Sequence, residues 1–406
     1  MVLMLMTRLL AAQMLPPDVV ALTGRELPQL MAVPPSEIAA VAERNNTLAP
    51  VHVQIDQRWP DDDGTLHYAF ETGADSRPLR GGLGPEDLVL LALPEGGERL
   101  QMVPAGYSEV EVREPGDGTA RWFYLYRGTP APLPPRLRYD AATDRIAGED
   151  YAIGFSRQGT AVIDSLVLGD PVNAFNLLDR SKARLDIDLA LGIGSIQRSE
   201  DDVRVRTTGL HVGPLRIIRE SEVRGRMLLG LYSPPVRDDF IFYAHGFVLP
   251  TTIRLTPTAR MIVRSVTLRI SMDLNAAARG MTFQSVPEMP TPLVIDGHGG
   301  TRGGSSPINW YLLRRGGLGL LGWLEARPDV AREVTLYYHD DEGHRDAPEA
   351  VAGEIGDHGF LFHHSGALPP GDVRLSSHAW VLHGAQLDDP AAVLRSFAAR
   401  PEVEVH

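Results

Sequence analysis

Through most of this chain apolar and polar residues alternate with a period of two, the pattern of strands with one buried and one wet face. "VHVQID" alternates and runs into the turn-rich "WPDDDG"; "TLHYAFE" follows, which predicts a hairpin. "DLVLLAL", "SEVEVR" and "ARWFYLY" continue the pattern. The last two are joined by "EPGDG", where Asp117-Gly118 suits a tight turn with positive φ. "RGTPAPLPPR" then interrupts, because proline cannot donate to a sheet interior. A domain boundary is placed there, giving a β-rich domain over residues 1–130 and a larger one over 131–406.

The second part is patterned more strongly. "DDVRVRTTGLHVGPLRIIRESEVRGRMLLGLYS" alternates for much of its length, with a break at Gly213-Pro214. In "ARMIVRSVTLRISMDLN", Val263, Ser265, Thr267, Arg269 and Ser271 share one face, and Arg264, Val266, Leu268, Ile270 and Met272 share the other. The first set is largely polar and the second largely apolar, which predicts a strand of about a dozen residues with one side buried. Strands this long belong to large antiparallel sheets. Helix signals are few: "PPSEIAAVAERN" with Ser36 as N-cap, "DDPAAVLRSFAAR" with Asp389 as cap and Pro390 in the first turn, and a turn or two in "WLEARPDVARE". The expected fold is therefore mainly β: a large antiparallel β-sandwich of supersandwich type, a smaller N-terminal β-rich domain and few short helices.

Composition removes several chemistries. The 406 residues are 43% hydrophobic and 22% charged, as in an ordinary folded protein. A net charge of −13 argues against a phosphate-backbone partner, so nucleic acid is not expected. The absence of cysteine excludes disulfides, thiolate nucleophiles, iron–sulfur clusters and cysteine zinc sites. Lys182 is the only lysine; no P-loop string exists, and in "DRSKARLD" the side chain reads as solvated. "MVLMLMTRLLAAQML" is apolar but carries Arg8 in its middle and is too short to span a bilayer, so a leader peptide and an ordered N-terminal segment both fit. No transmembrane segment is expected. The expected compartment is periplasmic or secreted, with the cytoplasm as the alternative.

"RRGGLGLLGW" contains Gly317-x-Gly319-x-x-Gly322, the spacing of a dinucleotide-binding turn. Such a turn needs a parallel β–α–β unit, with a crossover of a dozen or more residues. Only ten residues separate Gly322 from the next strand at Glu333, and Pro328 interrupts them. A glycine-eased bend or bulged strand fits better, and a nucleotide-dependent oxidoreductase ranks third among the functions considered.

The histidines gather in the last third of the chain, with aspartates beside them in "IDGHGG", "YYHDDEGHRD" and "GDHGFLFHH". His/Asp/Glu sets of this kind ligate zinc or another borderline metal, which makes His339, Asp341 and His344 the candidate metal ligands and a divalent ion the cofactor class to expect. "DQRWPDDDG" and "YYHDDEG" lack the ligand spacing of a calcium loop. "GFSRQG" has one residue too many, between Ser156 and Gly159, for a nucleophile elbow. Aromatic faces and planar polar groups hold sugars. Trp310, Tyr311, Asp296 and His298 are the candidate substrate-binding residues, with Trp323, Tyr337, Tyr338 and Trp380 as further platforms, set against the ordinary burial of aromatics in a core.

At "LHVGPLRIIRESEVRGR", "RMIVRSVTLRISMDLN" and "SHAWVLHG", over roughly residues 137–385, the chain resembles galactose-mutarotase-like β-supersandwich domains of uncharacterised secreted bacterial proteins. The resemblance implies a fold found in carbohydrate-active proteins such as polysaccharide lyases and epimerases, and a saccharide as partner. If it extends to a lyase, Arg216 neutralises a uronate carboxylate and His245 or Tyr243 acts as base, with His211 a further candidate on its strand. The rival class is a non-catalytic envelope protein, structural or protein-binding, in which the same sheet face is packed.

Overall fold

The computed structural model describes residues 15–62, 64–71, 78–116, 118–156, 163–170, 174–189, 194–226, 232–233, 235–253, 263–285, 289–303, 310–365 and 373–406. The first fourteen residues of the leader candidate, Asp117 of the expected turn and Gly159 lie outside them. The chain is mainly β, built from several antiparallel sheets, and none closes into a barrel among the described residues. It divides into two compact units: Met1–Leu137, Thr208–Ile218 and Ala391–His406 in the first, Arg138–Thr207 and Arg219–Pro390 in the second. The proline-dense stretch runs up to the first division. No break in composition marks the return of Thr208–Ile218 and of the C-terminus to the first unit.

In the first unit the strands Val19–Thr23, Leu88–Ala92 and Val53–Asp56 form one sheet. Glu402–Val405, Tyr107–Arg113, Ala120–Arg127, Ile38–Arg44 and Thr47–Val51 form another. Val20, Leu22, Val89 and Leu91 from the three-stranded sheet meet Ile38, Ala40, Val110, Phe123 and Leu125 from the five-stranded one in a single core. Two expectations are corrected here. "EIAAVAER" is a strand, Ile38–Arg44, not a helix: Ala40 and Ala42 enter this core while Val41 on the opposite face packs on Trp122 and Tyr124, so both faces are buried in a central strand. "VHVQID" pairs with Leu88–Ala92, and the hairpin is made instead by Arg58–Pro60 and Leu66–Tyr68.

The second unit holds a six-stranded sheet in the order Gly194–Arg198, Leu178–Leu189, Val263–Leu274, Glu354–Ser365, Val334–Asp341 and Gly300–Gly303. Of a nine-stranded sheet, the run Val236–Tyr243, Gly246–Ile253, Val373–His383, Leu318–Ala326, Trp310–Arg315, Thr282–Ser285 and Met289–Val294 lies wholly in this unit. The two sheets face each other across aromatic contacts: Phe283 stacks on Tyr338 with centroids 4.4 Å apart, and Tyr311 meets His358 edge-on at 4.7 Å. Burial pulls the His358 imidazole down to about 4, so it lies in this core as a neutral ring. The C-terminal helix forms as expected, Pro390–Ala398, and the helix after Trp323 is a single turn, Pro328–Ala331.

"RRGGLGLLGW" is an antiparallel hairpin. Trp310–Arg315 pairs with Leu318–Ala326, Arg315 lies opposite Leu318, and Gly316 takes the turn at φ +59°. No crossover helix follows, which removes the nucleotide reading. Gly322 serves packing: a Cβ there would sit 2.2 Å from the Tyr311 ring, which is buried against Phe283 and Phe360. Gly322→Ala should therefore cost about 1–3 kcal/mol in a urea titration, as overpacked cores do. Gly317→Ala, whose Cβ meets nothing within 4 Å, should be close to neutral. Equal stabilities for the two variants would refute the packing role.

Candidate functional site

With one face of the six-stranded sheet used by the core, the other carries the charges. Directly opposed residues of antiparallel strands share a face. Lys182 lies across from Ser271, Arg184 from Arg269, Asp186 from Thr267 and Asp188 from Ser265. Ser271 lies across from Gly359 and Thr267 from His363; Gly359 lies across from Tyr337 and Asp357 from His339. The polar face seen in "SVTLRIS" thus continues over four strands.

At its centre is Lys182, 1% exposed, so the solvated lysine of the sequence reading is corrected to a buried one. Its Nζ lies 2.8 Å from Asp273, 2.9 Å from Glu354, 3.0 Å from Glu349, 3.4 Å from Asp346 and 3.7 Å from Asp357. Asp346 and Glu349 come from the loop after Val334–Asp341, which folds back over the face. They also engage Arg184 at 3.5 and 2.8 Å, and Asp346 pairs with Arg269. Arg184 pairs in addition with Glu200. Burial alone would depress the Lys182 ammonium, but Asp357 and Asp273 outweigh it and hold it above its usual range. Burial and the Asp357 charge push Asp273 up to about 7, and burial raises Glu354. Both oxygens of Asp357 and Oε2 of Glu354 are buried and accept no hydrogen bond. Carboxylates thus outnumber their cations here, which favours uptake of a proton or another cation.

Toward the open part of the same face the side chains fix one another. Arg269 Nη1 donates to the Tyr337 hydroxyl at 2.7 Å, Thr267 shares a hydrogen bond with His363 Nδ1 at 2.7 Å, and Ser265 donates to Asp188 at 2.7 Å. His339 and His344 lie at the other side of the network, where their ring nitrogens and Glu354 fall within 4.8 Å of one another. Asp341 is not part of that trio. The strand pairing slips between His339 and Asp341, which lie opposite Asp357 and Glu354, and the Asp341 carboxylate instead caps its own turn, accepting from the Gly343 N–H at 2.9 Å. Of the three residues named as metal ligands, His339 and His344 thus come together with Glu354, and Asp341 stands apart.

His211 and Arg216 belong to the first unit, where they converge on Asp56. Arg216 donates from Nε at 2.6 Å and lies 2.5 Å away through Nη2, both at Oδ2; its Nη2 also reaches the Tyr68 hydroxyl at 3.1 Å. His211 Nε2 is 3.0 Å from Asp56 Oδ1, and its Nδ1 is 3.6 Å from Glu71. Gln54 ties the group to the backbone: Nε2 donates to Asp56 at 2.7 Å, and Oε1 accepts from the Leu215 and Arg216 N–H groups at 2.9 Å. Burial works against charge at both titrating ends. Even so, Arg216 holds Asp56 well below the usual carboxylate range, and Asp56 with Glu71 lifts His211 to about 9.

Tyr243 and His245 belong to the second unit, at the turn joining Val236–Tyr243 to Gly246–Ile253. Tyr243 is buried, its carbonyl accepting from Tyr151 at 2.7 Å, and His245 lies 3.8 Å from Glu149 and beside Trp380. The four residues named for catalysis thus form two pairs in two units. Tyr311 is a core residue, a correction to its place among the saccharide platforms. Trp310 is half-buried opposite Trp323, whose ring stacks on His378 at 4.6 Å. Asp296 and His298 share one exposed turn, where the His298 N–H donates to Asp296 at 2.9 Å.

Sequence reasoning missed Lys182, Asp273, Glu354 and Asp357. The available signal was that the one lysine of an arginine-rich chain stands at the polar phase of an alternating strand.

No protein-family model matches the sequence, and a search of curated proteins gives no match. Among solved structures, the chain is similar to an α-mannosidase from Enterococcus faecalis (TM-score 0.49, 11% identity, 96% of this chain and 44% of that one). It is also similar to a glycosyl hydrolase family 38 protein from the same organism (TM-score 0.48, 9% identity, 96% and 45%). HI1317 follows at TM-score 0.36 and 12% identity, over 62% of this chain and 98% of that one. The chain thus spans less than half the length of either Enterococcus protein.

Proposed function

We propose that the outer face of the six-stranded sheet engages a saccharide. The observation that carries this is a row of donors and acceptors held by one another: half-buried Tyr337 by Arg269, Thr267 by exposed His363, and Ser265 by exposed Asp188. Sugar hydroxyls both donate and accept, and a surface of fixed hydroxyls, imidazole and carboxylate meets them without first ordering long side chains. The Tyr337 ring adds a flat apolar face for a sugar ring. Binding is favoured over lyase or epimerase chemistry, because Arg216 is committed to Asp56 and His211 is protonated at neutral pH. Neither suits its assigned role toward a uronate.

The test is retention on immobilised neutral and acidic oligosaccharides, followed by calorimetry. Tyr337→Ala combined with His363→Ala should weaken binding at least tenfold with the fold intact, an amount of about 1.4 kcal/mol. A wild-type protein that retains no saccharide, or a double variant that binds as well as wild type, would overturn the proposal.

A further inference from the structure

We propose that His339, His344 and Glu354 bind a divalent transition-metal ion of the zinc type. Ligand spacing is the first support. His339 Nδ1 is 3.0 Å and His344 Nε2 is 3.5 Å from the same oxygen, Glu354 Oε2, and the two imidazole rings lie 4.5 Å apart, tilted by 46°. Metal bonds of about 2.0–2.2 Å at tetrahedral angles set neighbouring ligand atoms about 3.3–3.5 Å apart. The trio therefore accommodates an ion with small adjustments.

The second support is the state of that oxygen. Glu354 is 1% exposed, and its Oε2 accepts no hydrogen bond although an imidazole nitrogen stands 3.0 Å away. Nitrogen and oxygen are close enough to bond but not aligned to do so, as expected of atoms whose lone pairs point at a shared third position. A buried carboxylate oxygen without a donor is costly, and a bound cation would offset that cost. The opposite oxygen, Oε1, accepts from Lys182 at 2.9 Å, which orients the carboxylate in the way outer groups orient metal ligands.

A neighbouring trio shows why the ion belongs here. Asp346, Glu354 and Asp357 also converge, but the Lys182 ammonium lies among them at 3.4, 2.9 and 3.7 Å. That group has its cation, which reaches the shared Glu354 through Oε1, whereas the histidines face Oε2. Two imidazoles and one carboxylate suit zinc, cobalt or nickel, whereas calcium and magnesium require oxygen ligands throughout. His344 is 44% exposed, so the fourth position opens to solvent and leaves room for water or an oxygen of a bound molecule.

The test uses full-length protein without a histidine tag, titrated with chelator-buffered Zn2+ and separately with Co2+, whose visible spectrum reports tetrahedral ligation. One ion per chain is expected, with an intense cobalt spectrum and no competition from Mg2+. His344→Ala should weaken binding more than about 100-fold with an unchanged thermal transition, its side chain being exposed, and Glu354→Gln should weaken binding as well while lowering the transition, because its buried carboxylate also pairs with Lys182. Asp341→Asn should bind as wild type, as should His406→Ala, which removes a member of the group formed by buried Glu111 with exposed Glu404 and His406. Absence of stoichiometric binding, wild-type affinity in His344→Ala, or loss of binding in Asp341→Asn or His406→Ala would each overturn the assignment. The result is independent of any saccharide, so it stands or falls apart from the proposed function.

Discussion

Lys182→Met should lower the stability of the second unit by about 3–5 kcal/mol, the cost of removing one partner from a buried ion cluster. Methionine keeps the length and apolar stem of the side chain, so little packing is lost. What is lost is the ammonium around which Asp273, Asp346, Glu349, Glu354 and Asp357 are arranged. Arg184 and Arg269 remain, but Glu200 and Asp346 already occupy them. Asp273 and Asp357, at 1% and 0% exposed, would have to take up protons or open the loop above them to water. Lys182→Arg should recover only part of the loss, because a planar guanidinium cannot replace a compact point charge among five carboxylates. Urea denaturation followed by the fluorescence of Trp310, Trp323 and Trp380 reads the effect. A loss below about 1 kcal/mol would mean that the cluster behaves like a solvated surface pair.

Asp56→Asn should cost the first unit a similar amount, about 3–5 kcal/mol, for the converse reason. It removes the anion and leaves Arg216, 1% exposed, with the Tyr68 hydroxyl but no carboxylate at position 56. The same group predicts a pH dependence. His211 is held at about 9 in the folded protein against 6.5 for an ordinary imidazole. Its contribution is therefore complete below pH 6.5 and is lost as pH rises through 9. At about 1.4 kcal/mol per unit this amounts to roughly 3 kcal/mol. The Asp56 carboxylate, held low, adds stability that is present above its ordinary range near 3.8 and is lost only in strong acid. Unfolding free energies at pH 6 and pH 9.5 should differ in the wild type, and the difference should shrink in Asp56→Asn. Equal slopes in the two proteins would show that the imidazole is not held by Asp56.

Much of the architecture could be read from local pattern. The polar and apolar faces of Val263–Leu274 are legible because a strand between two sheet neighbours must present its residues alternately. The glycine motif is legible as a hairpin rather than a nucleotide turn because a crossover helix cannot fit before Glu333. "EIAAVAER" misled because alanine and glutamate favour helices, while burial on both faces in a central strand overrode that preference. Candidate chemistry was less legible. Residue type marked His339 and His344, but a slip in strand pairing chose Glu354 over Asp341, and pairing slips leave no trace in residue spacing.

From residue order alone came the strand periodicity, the long antiparallel sheets, the chemistries excluded by the lack of cysteine, and the gathering of histidines near one loop. All of these depend on neighbours within a few residues or on composition. The fold decided which charges meet. Lys182 and Glu354 are 172 residues apart, and Asp56 and Arg216 are 160 apart. Sheet registry brings the first pair within hydrogen-bond reach, contact between strands of two different sheets brings the second, and only burial turns a lysine that reads as solvated into the centre of a charged network.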